Sequence, residues 1–502
     1  MLKPAHLALL MLGGIAVAGI LPAAARPLDY AARLQLEHAV VALGHPAAEA
    51  PLRSRADTVM ANLGLPQSGQ VWPEADAAPE FLSTTTALVE LVDMRLLLTQ
   101  IAVQTGARDH LVLTRAQGDR DHKVILLRGG LVTLAELFAL SRGTAVEDFV
   151  RQTAEGVVLT RPLAIWADAG LHLGAADHLV LDRPAGSFLA NLGWLDMAGG
   201  TLSGTAGPNL SEAAFRPFAL TAGAGTLSVR DSAFMALGFG DTAVFGGLSV
   251  VNNGLQPPRF APQITGSTFS DVTTLSLLGT RGATVSGNDL TKSNGTAILV
   301  SRSDRAVIAA NSVSDQTGPQ AIRITTNSAD IKVVGNIMTG KARAGILIDR
   351  DSRGVVVTGN IILAQLTTGL GISDADCVTV RDNLIAANAG AGVSIRDADG
   401  VTVADNAILF NTGAGVLIRD QAAQALARLS GNVLIGNTEG LRGATPGLVS
   451  LTKNNLDGQL PRIFAGDFSP MMVDWLRNGE TGITAAATVP LSGTPCIDNG
   501  AN

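Results

Sequence analysis

The sequence is short of aromatic residues, cysteine and charge, and over most of its length it has no histidine. Tyr30 is the only tyrosine, and there are 4 tryptophans and 14 phenylalanines in 502 residues. All seven histidines (His6, His38, His45, His110, His122, His172 and His178) precede residue 180. Any acid–base chemistry beyond that point must therefore use Asp, Glu, Lys or Arg, because neither an imidazole nor a phenol is present. Cys377 and Cys496 are the only cysteines. Two cysteines make no disulfide framework and no zinc-ligand spacing, so both are expected as unpaired or buried thiols. Charged residues are 16% and the net charge is −7, which excludes a basic nucleic-acid binder. Hydrophobic residues at 47% exclude a disordered chain.

The N-terminus reads as a secretory signal over residues 1–25. Lys3 supplies positive charge, Leu7 to Leu21 is apolar, and Ala23-Ala24-Ala25 is a small-residue cleavage site. After it no apolar run reaches about 18 residues, so no transmembrane helix is expected in the mature chain. The mature chain is expected to be exported.

The C-terminal half is repetitive. Ser301, Thr325, Asp349, Ser373, Arg396 and Arg419 share one repeat position, at spacings of 24, 24, 24, 23 and 23. An asparagine recurs in each unit: Asn288, Asn311, Asn336, Asn360, Asn383, Asn406 and Asn432. Short alternating β-branched runs at this period predict an all-β solenoid, a right-handed parallel β-helix. The asparagine column is expected as an internal amide ladder, not a substrate site. The organisation expected is a signal over 1–25, a mixed α/β N-terminal cap over 26–155, the β-helix over 156–445, a C-terminal cap over 446–480 and a flexible tail over 481–502. Within the cap, Tyr30–Val41, Thr84–Gln100, Val132–Leu140 and Val146–Gln152 have helical spacing, and His110–Arg115 with Lys123–Leu127 reads as a strand pair. Asp241–Pro262 reads as a long inserted loop.

Successive coils of such a helix stack about 4.8 Å apart, so neighbouring repeat positions form a continuous face. The second repeat position reads Arg302, Thr326, Arg350, Asp374, Asp397, Asp420, and the third Ser303, Asn327, Asp351, Ala375, Ala398, Gln421. Carboxylates one or two coils apart suit an acid–base pair for glycoside cleavage, which nominates Asp349, Asp351 and Asp374 as catalytic. Arginines at this spacing suit paired hydrogen bonds to sugar carboxylates. Ser301, Arg302, Thr326, Arg350, Arg396 and Asp397 are nominated as substrate-binding. A solvated turn face of alternating sign is the plain alternative. His172 and His178 are expected as turn or cap residues. No metal site is nominated and no cofactor is expected, although the pairs Asp374/Asp376 and Asp397/Asp399 could hold calcium through oxygens.

Several segments carry a family resemblance: AGSFLANLGWLDMAGGTLSG from Ala185, FRPFALTAG from Phe215, PPRFAPQITGSTFSD from Pro257, and GILIDRDSRGVVVTGN from Gly345. From roughly Leu131 to Leu476 the chain resembles the periplasmic mannuronan C5-epimerases of alginate-producing bacteria. The resemblance implies a right-handed β-helix acting on an anionic polysaccharide in the periplasm, with further components of an exopolysaccharide export complex as partners. The family's Asp-Pro-His-Asp box is not matched: Leu299-Val300-Ser301-Arg302 stands there, with Ser301 at the histidine position. Thr326 stands where the family has its carboxylate-neutralising arginine, with Arg323 nearby but expected to face another way. The function expected is therefore an exported protein acting on or binding a polysaccharide, an epimerase-like isomerase if active. The alternatives are a non-catalytic guide for a nascent polymer and an aspartate-based glycoside hydrolase.

Overall fold

The computed structural model describes residues 30–43, 51–66, 81, 85–107, 110–118, 121–240, 242–456, 458–459, 462–478, 483–485 and 496. The signal segment lies outside them. Three long sheets run side by side, of 15, 14 and 13 strands, here called sheets A, B and C. Along the solenoid the chain visits A, B and C in turn, and each strand pairs in parallel with the equivalent strand one coil on; antiparallel strand pairs occur only at its two ends among the described residues. This is the parallel β-helix that the 23–24-residue period predicts.

The alternation of residue types explains why the coils close. On sheet A, Ile298 and Val300 face inward and register with Ile322 and Ile324 of the next coil. Those in turn register with Ile346 and Ile348, and all of them are buried. Branched aliphatic side chains thus stack on their own kind down the axis, and one apolar core runs the length of the solenoid. The asparagines form the expected ladder. Each Asn Nδ2 donates to the next Oδ1, through 288, 311, 336, 360, 383, 406, 432 and 454, at 2.9–3.0 Å. A second ladder, absent from the sequence reading, passes from Asn388 through Asn411 to Asn437 at 2.8 Å.

The N-terminal region departs from several expectations. His110–Ala116 is a helix, and Lys123–Arg128 pairs instead with Leu88–Asp93, antiparallel, and with Leu163–Ile165. The segment expected to be helical over Thr84–Gln100 instead holds the strand Leu88–Asp93, with a helix, Met94–Thr105, only beyond it. Asp93 caps that helix, its carboxylate accepting from Arg95 N. Val146–Gln152 is a 3₁₀ turn followed by the strand Val150–Thr153. The segment read as a loop, Asp241–Pro262, contains the strand Gly247–Val251, a full member of sheet A.

The first two helices, α1 (Tyr30–Leu43) and α2 (Leu52–Asn62), do not close the N-terminal end of the solenoid. Leu36, Val40, Val59 and Met60 pack on Ile361, Leu363, Leu384, Leu409 and Ile435, the outward residues of sheet C far down the helix. Arg53 of α2 fixes the position by donating to the carbonyls of Gly359, at 2.8 Å, and Gly335. At the C-terminal end, Phe464, Phe468, Met471 and Trp475 cover the last coil. The cysteines are bridged rather than free: Cys377 and Cys496 form a disulfide across 119 residues. Among the described residues no helix is long and apolar enough to cross a membrane.

Candidate functional site on the outer face of sheet A

Two outward columns run along sheet A between the inward ones. The first holds Leu299, Arg323, Leu347, Gly371, Ser394 and Leu417. The second holds Ser301, Thr325, Asp349, Ser373, Arg396 and Arg419. At the earlier coils this face is covered: Phe188, Phe215, Phe218, Phe239 and Phe245 pack there with Met94, Leu97 and Ile101 of the helix Met94–Thr105. Leu299 packs against the edge of this cluster, and the face opens beyond it.

At the end of each sheet A strand the chain turns through a left-handed residue. Arg302, Thr326, Arg350, Asp374, Asp397 and Asp420 all have φ between 47° and 55°. Aspartate tolerates that conformation better than most residues, while a β-branched threonine is disfavoured in it. The backbone therefore accounts for part of the Asp column. The third repeat position resolves into two kinds of residue. Ser303, Ala375, Ala398 and Gln421 are buried. In the two 24-residue coils between them, Ser328 and Ser352 take that buried place, so Asn327 and Asp351 are extra corner residues, also with positive φ. The ladder register slips between Asp349 and Ser352 accordingly. The bulge opens a cleft of about 540 Å³ lined by Asn327, Asp351, Ser352, Arg353 and Asp376.

Arg323 faces outward onto the same surface as Asp349, contrary to the sequence expectation. Strand alternation decides this: Arg323 lies between inward Ile322 and Ile324. Its Nη2 donates to Asp349 Oδ2 at 2.6 Å and its Nε to Oδ1 at 3.3 Å. The two side chains are only 24% and 13% exposed, so this fork is the most sheltered ion pair of the face. Arg396 Nε donates to Ser373 Oγ at 3.0 Å. The carboxyl of Asp374 is pushed up from its ordinary value, first by desolvation and then by Asp351, Asp397, Asp376 and Asp349. The structure thus gathers Ser301, Asp349 and Arg396 on the sheet, and Arg302, Thr326, Arg350, Asp351, Asp374 and Asp397 along the adjoining corner.

The D-x-D pairs are partly spent on the backbone. Asp376 Oδ1 accepts from Asp399 N, and Asp399 Oδ1 accepts from Gly400 N and Leu426 N, at 2.7–2.9 Å. Among the described residues no three His, Cys, Asp or Glu side chains come together as a metal site. His172 and His178 lie on strands rather than turns: His172 Nδ1 is 2.8 Å from Asp196 Oδ2, and His178 Nε2 is 2.7 Å from Ser203 Oγ. Both are remote in the coil order from the open face of sheet A.

A family model described as "Periplasmic copper-binding protein (NosD)" matches residues 261–457. Copper favours imidazole, thiolate and thioether ligands. The matched stretch contains no histidine, its one cysteine is in the disulfide, and its one methionine, Met338, is buried in the core. The donor set there does not fit copper. No curated protein matches the chain in sequence. Among solved structures, the periplasmic alginate epimerase AlgG superposes with a TM-score of 0.61 at 18% identity, over 77% of this chain and 94% of that one. A point mutant of AlgG gives 0.62 at 19% identity, over 77% of this chain and 94% of that one. The A-module of the mannuronan C-5 epimerase AlgE6 of Azotobacter vinelandii aligns at 13% identity over 67% of this chain and 93% of that one, with a TM-score of only 0.32. The chain resembles AlgG along most of its length, and what it shares with it is the parallel β-helix fold.

Proposed function

We propose that this chain is an exported, periplasmic β-helix protein that binds a polysaccharide along the open outer face of sheet A. The observation that carries the reading is the Arg323–Asp349 fork. It is a sheltered, geometrically fixed donor–acceptor pair on the open outer face of sheet A, flanked by Ser301, Ser373 and Arg396. A polymer with regularly spaced hydroxyls matches a surface that repeats at the coil spacing of about 4.8 Å. The Cys377–Cys496 bridge supports an oxidising compartment. So does the fold shared with a periplasmic protein. Other components of an exopolysaccharide export complex would be its neighbours there.

Retardation of the protein in gels cast with soluble polysaccharides tests the reading. The double variant Arg350→Ala/Arg396→Ala should lose about fivefold in retention, because each side chain is a charge-assisted contact. Unchanged retention would remove this face as the binding surface.

A catalytic reading is favoured by one observation, the raised carboxyl of Asp374 beside other carboxylates. A carboxyl whose pKa is raised by neighbouring carboxylates is a feature shared with the acid of glycoside hydrolysis. Proton NMR in D₂O separates the possibilities. New reducing ends lost in Asp374→Asn support hydrolysis. Deuterium at C5 of polymannuronate supports epimerase-like isomerisation. Neither signal leaves binding without turnover.

A further inference from the structure

Charge on the open face bears on which polymer it takes. Over the six coils from Leu299 to Asp420, the two outward columns of sheet A and the left-handed corner, bulge residues included, carry five arginines and five aspartates. The face is electrically balanced, on a chain of net charge −7. A polyuronate brings one carboxylate per sugar, and neutralising it calls for a series of unpaired cations at coil spacing. That series is short and interrupted: only Arg396 and Arg419 stand on adjacent coils of the sheet, and Arg302 and Arg350 stand two coils apart on the corner. Arg323 is already forked onto Asp349, and Arg396 is turned onto Ser373. Beyond Arg350 the corner continues as Asp374, Asp397 and Asp420. The neighbouring cleft presents Asn327, Asp351 and Asp376 with one cation, Arg353. Mixed acceptors and donors of this kind suit vicinal hydroxyls: a carboxylate accepts from two adjacent OH groups, while guanidinium and amide N–H donate to ring and glycosidic oxygens.

We infer that the polymer bound on sheet A is a neutral, hydroxyl-rich glycan rather than a polyuronate. This rests on the polysaccharide reading above and narrows it.

The test is affinity electrophoresis of the full exported chain in gels containing galactomannan, hydroxyethyl cellulose, polymannuronate or polygalacturonate. Each is run at low salt and at about 0.3 M NaCl, where charge interactions are screened within about 6 Å. The expected result is retardation by a neutral polymer that salt does not change. Asp349→Asn should weaken that retardation about three- to tenfold, through loss of a charged acceptor. It also releases Arg323, so retardation by polymannuronate should appear at low salt. Because Asp349 is sheltered, the exposed-corner variant Asp374→Asn/Asp397→Asn provides a second reading. It should raise polyuronate retardation whether or not Asp349→Asn folds. Preferential retardation of the unmodified chain by polymannuronate or polygalacturonate, lost at high salt, would overturn the inference and leave the polysaccharide reading standing. Absence of retardation by all four would overturn the polysaccharide reading itself, and the inference with it.

Discussion

At the residue scale, the corner and the ladder place opposite demands on their side chains. Asn360 lies wholly inside the solenoid. Its Oδ1 accepts from Asn336 N and Nδ2, and its Nδ2 donates to Asn383 Oδ1 and to the carbonyls of Val333 and Thr358. Asn360→Ala strands several buried polar groups, and a loss of about 1–3 kcal/mol in stability is expected by thermal melting. An unchanged melting temperature would mean that water replaces the amide. Thr326 is the reverse case, a β-branched residue at φ 52° where the backbone prefers glycine or asparagine. Thr326→Gly relieves that strain, and a gain of about 0.5–1 kcal/mol is expected, since glycine's added freedom in the unfolded chain offsets part of the left-handed penalty. Asp374 titrates with a defined sign. Its folded carboxyl is raised above the unfolded value, so ionisation opposes folding above the folded pKa, and that cost disappears as pH falls below the unfolded one. Asp374→Asn should therefore raise the melting temperature at pH 7 and leave it unchanged at pH 3. An equal rise at both would assign the effect to the corner backbone instead of charge.

At the scale of elements, the periodic ones were readable and the long-range ones were not. The coils from Ile298 to Ile418 follow from alternation, because each strand's own residues decide which side faces in. The same rule, applied strictly, turns Arg323 outward with Thr325, two residues on; Thr326, with which it was compared, is a left-handed corner residue outside the strand's alternation. His110–Ala116 was misread because a short apolar run such as His-Leu-Val-Leu-Thr-Arg carries no decisive period. The helical pattern of α1 was legible, but its resting place was not. Nothing local to Leu36 or Val59 encodes contact with Leu384 or Leu409. A trace does exist on the receiving side, where Ile361, Leu363, Leu384 and Leu409 are apolar at positions that sheet alternation turns outward. Val59→Asp should unseat the hairpin, and bare sheet C should then bind a hydrophobic dye while the far-ultraviolet β-signal persists. Loss of the β-signal as well would make the hairpin part of the folding unit.

At the scale of the whole molecule, a solenoid is held mainly between neighbouring coils, so its ends and its long-range ties decide how it fails. The antiparallel strand Ile483–Ala485 pairs with Leu448–Thr452 at the last coil of sheet B, yet Cys496 is bridged to Cys377, three coils back toward the N-terminus. Cys496 lies against Gly400 on the intervening coil, its Sγ 3.8 Å from the Gly400 carbonyl. One covalent bond therefore spans coils that otherwise meet only through their neighbours. No periodicity marks two cysteines 119 residues apart as partners, which is why the sequence leaves them as thiols. In the chain-entropy account, closing a loop of that length stabilises the native state by up to about 5 kcal/mol, less any structure that the opened chain retains. In a solenoid the reduction should be felt locally. Cys377→Ser/Cys496→Ser, or a thiol reductant, should let the coils beyond residue 377 exchange their amide hydrogens at lower free energy, while coils before residue 300 keep their protection. The intact oxidised chain should also be two hydrogens lighter than the reduced one by mass spectrometry. Equal loss of protection along the whole length would make the solenoid a single cooperative unit, whose C-terminal tie then sets the stability of the carbohydrate face as well.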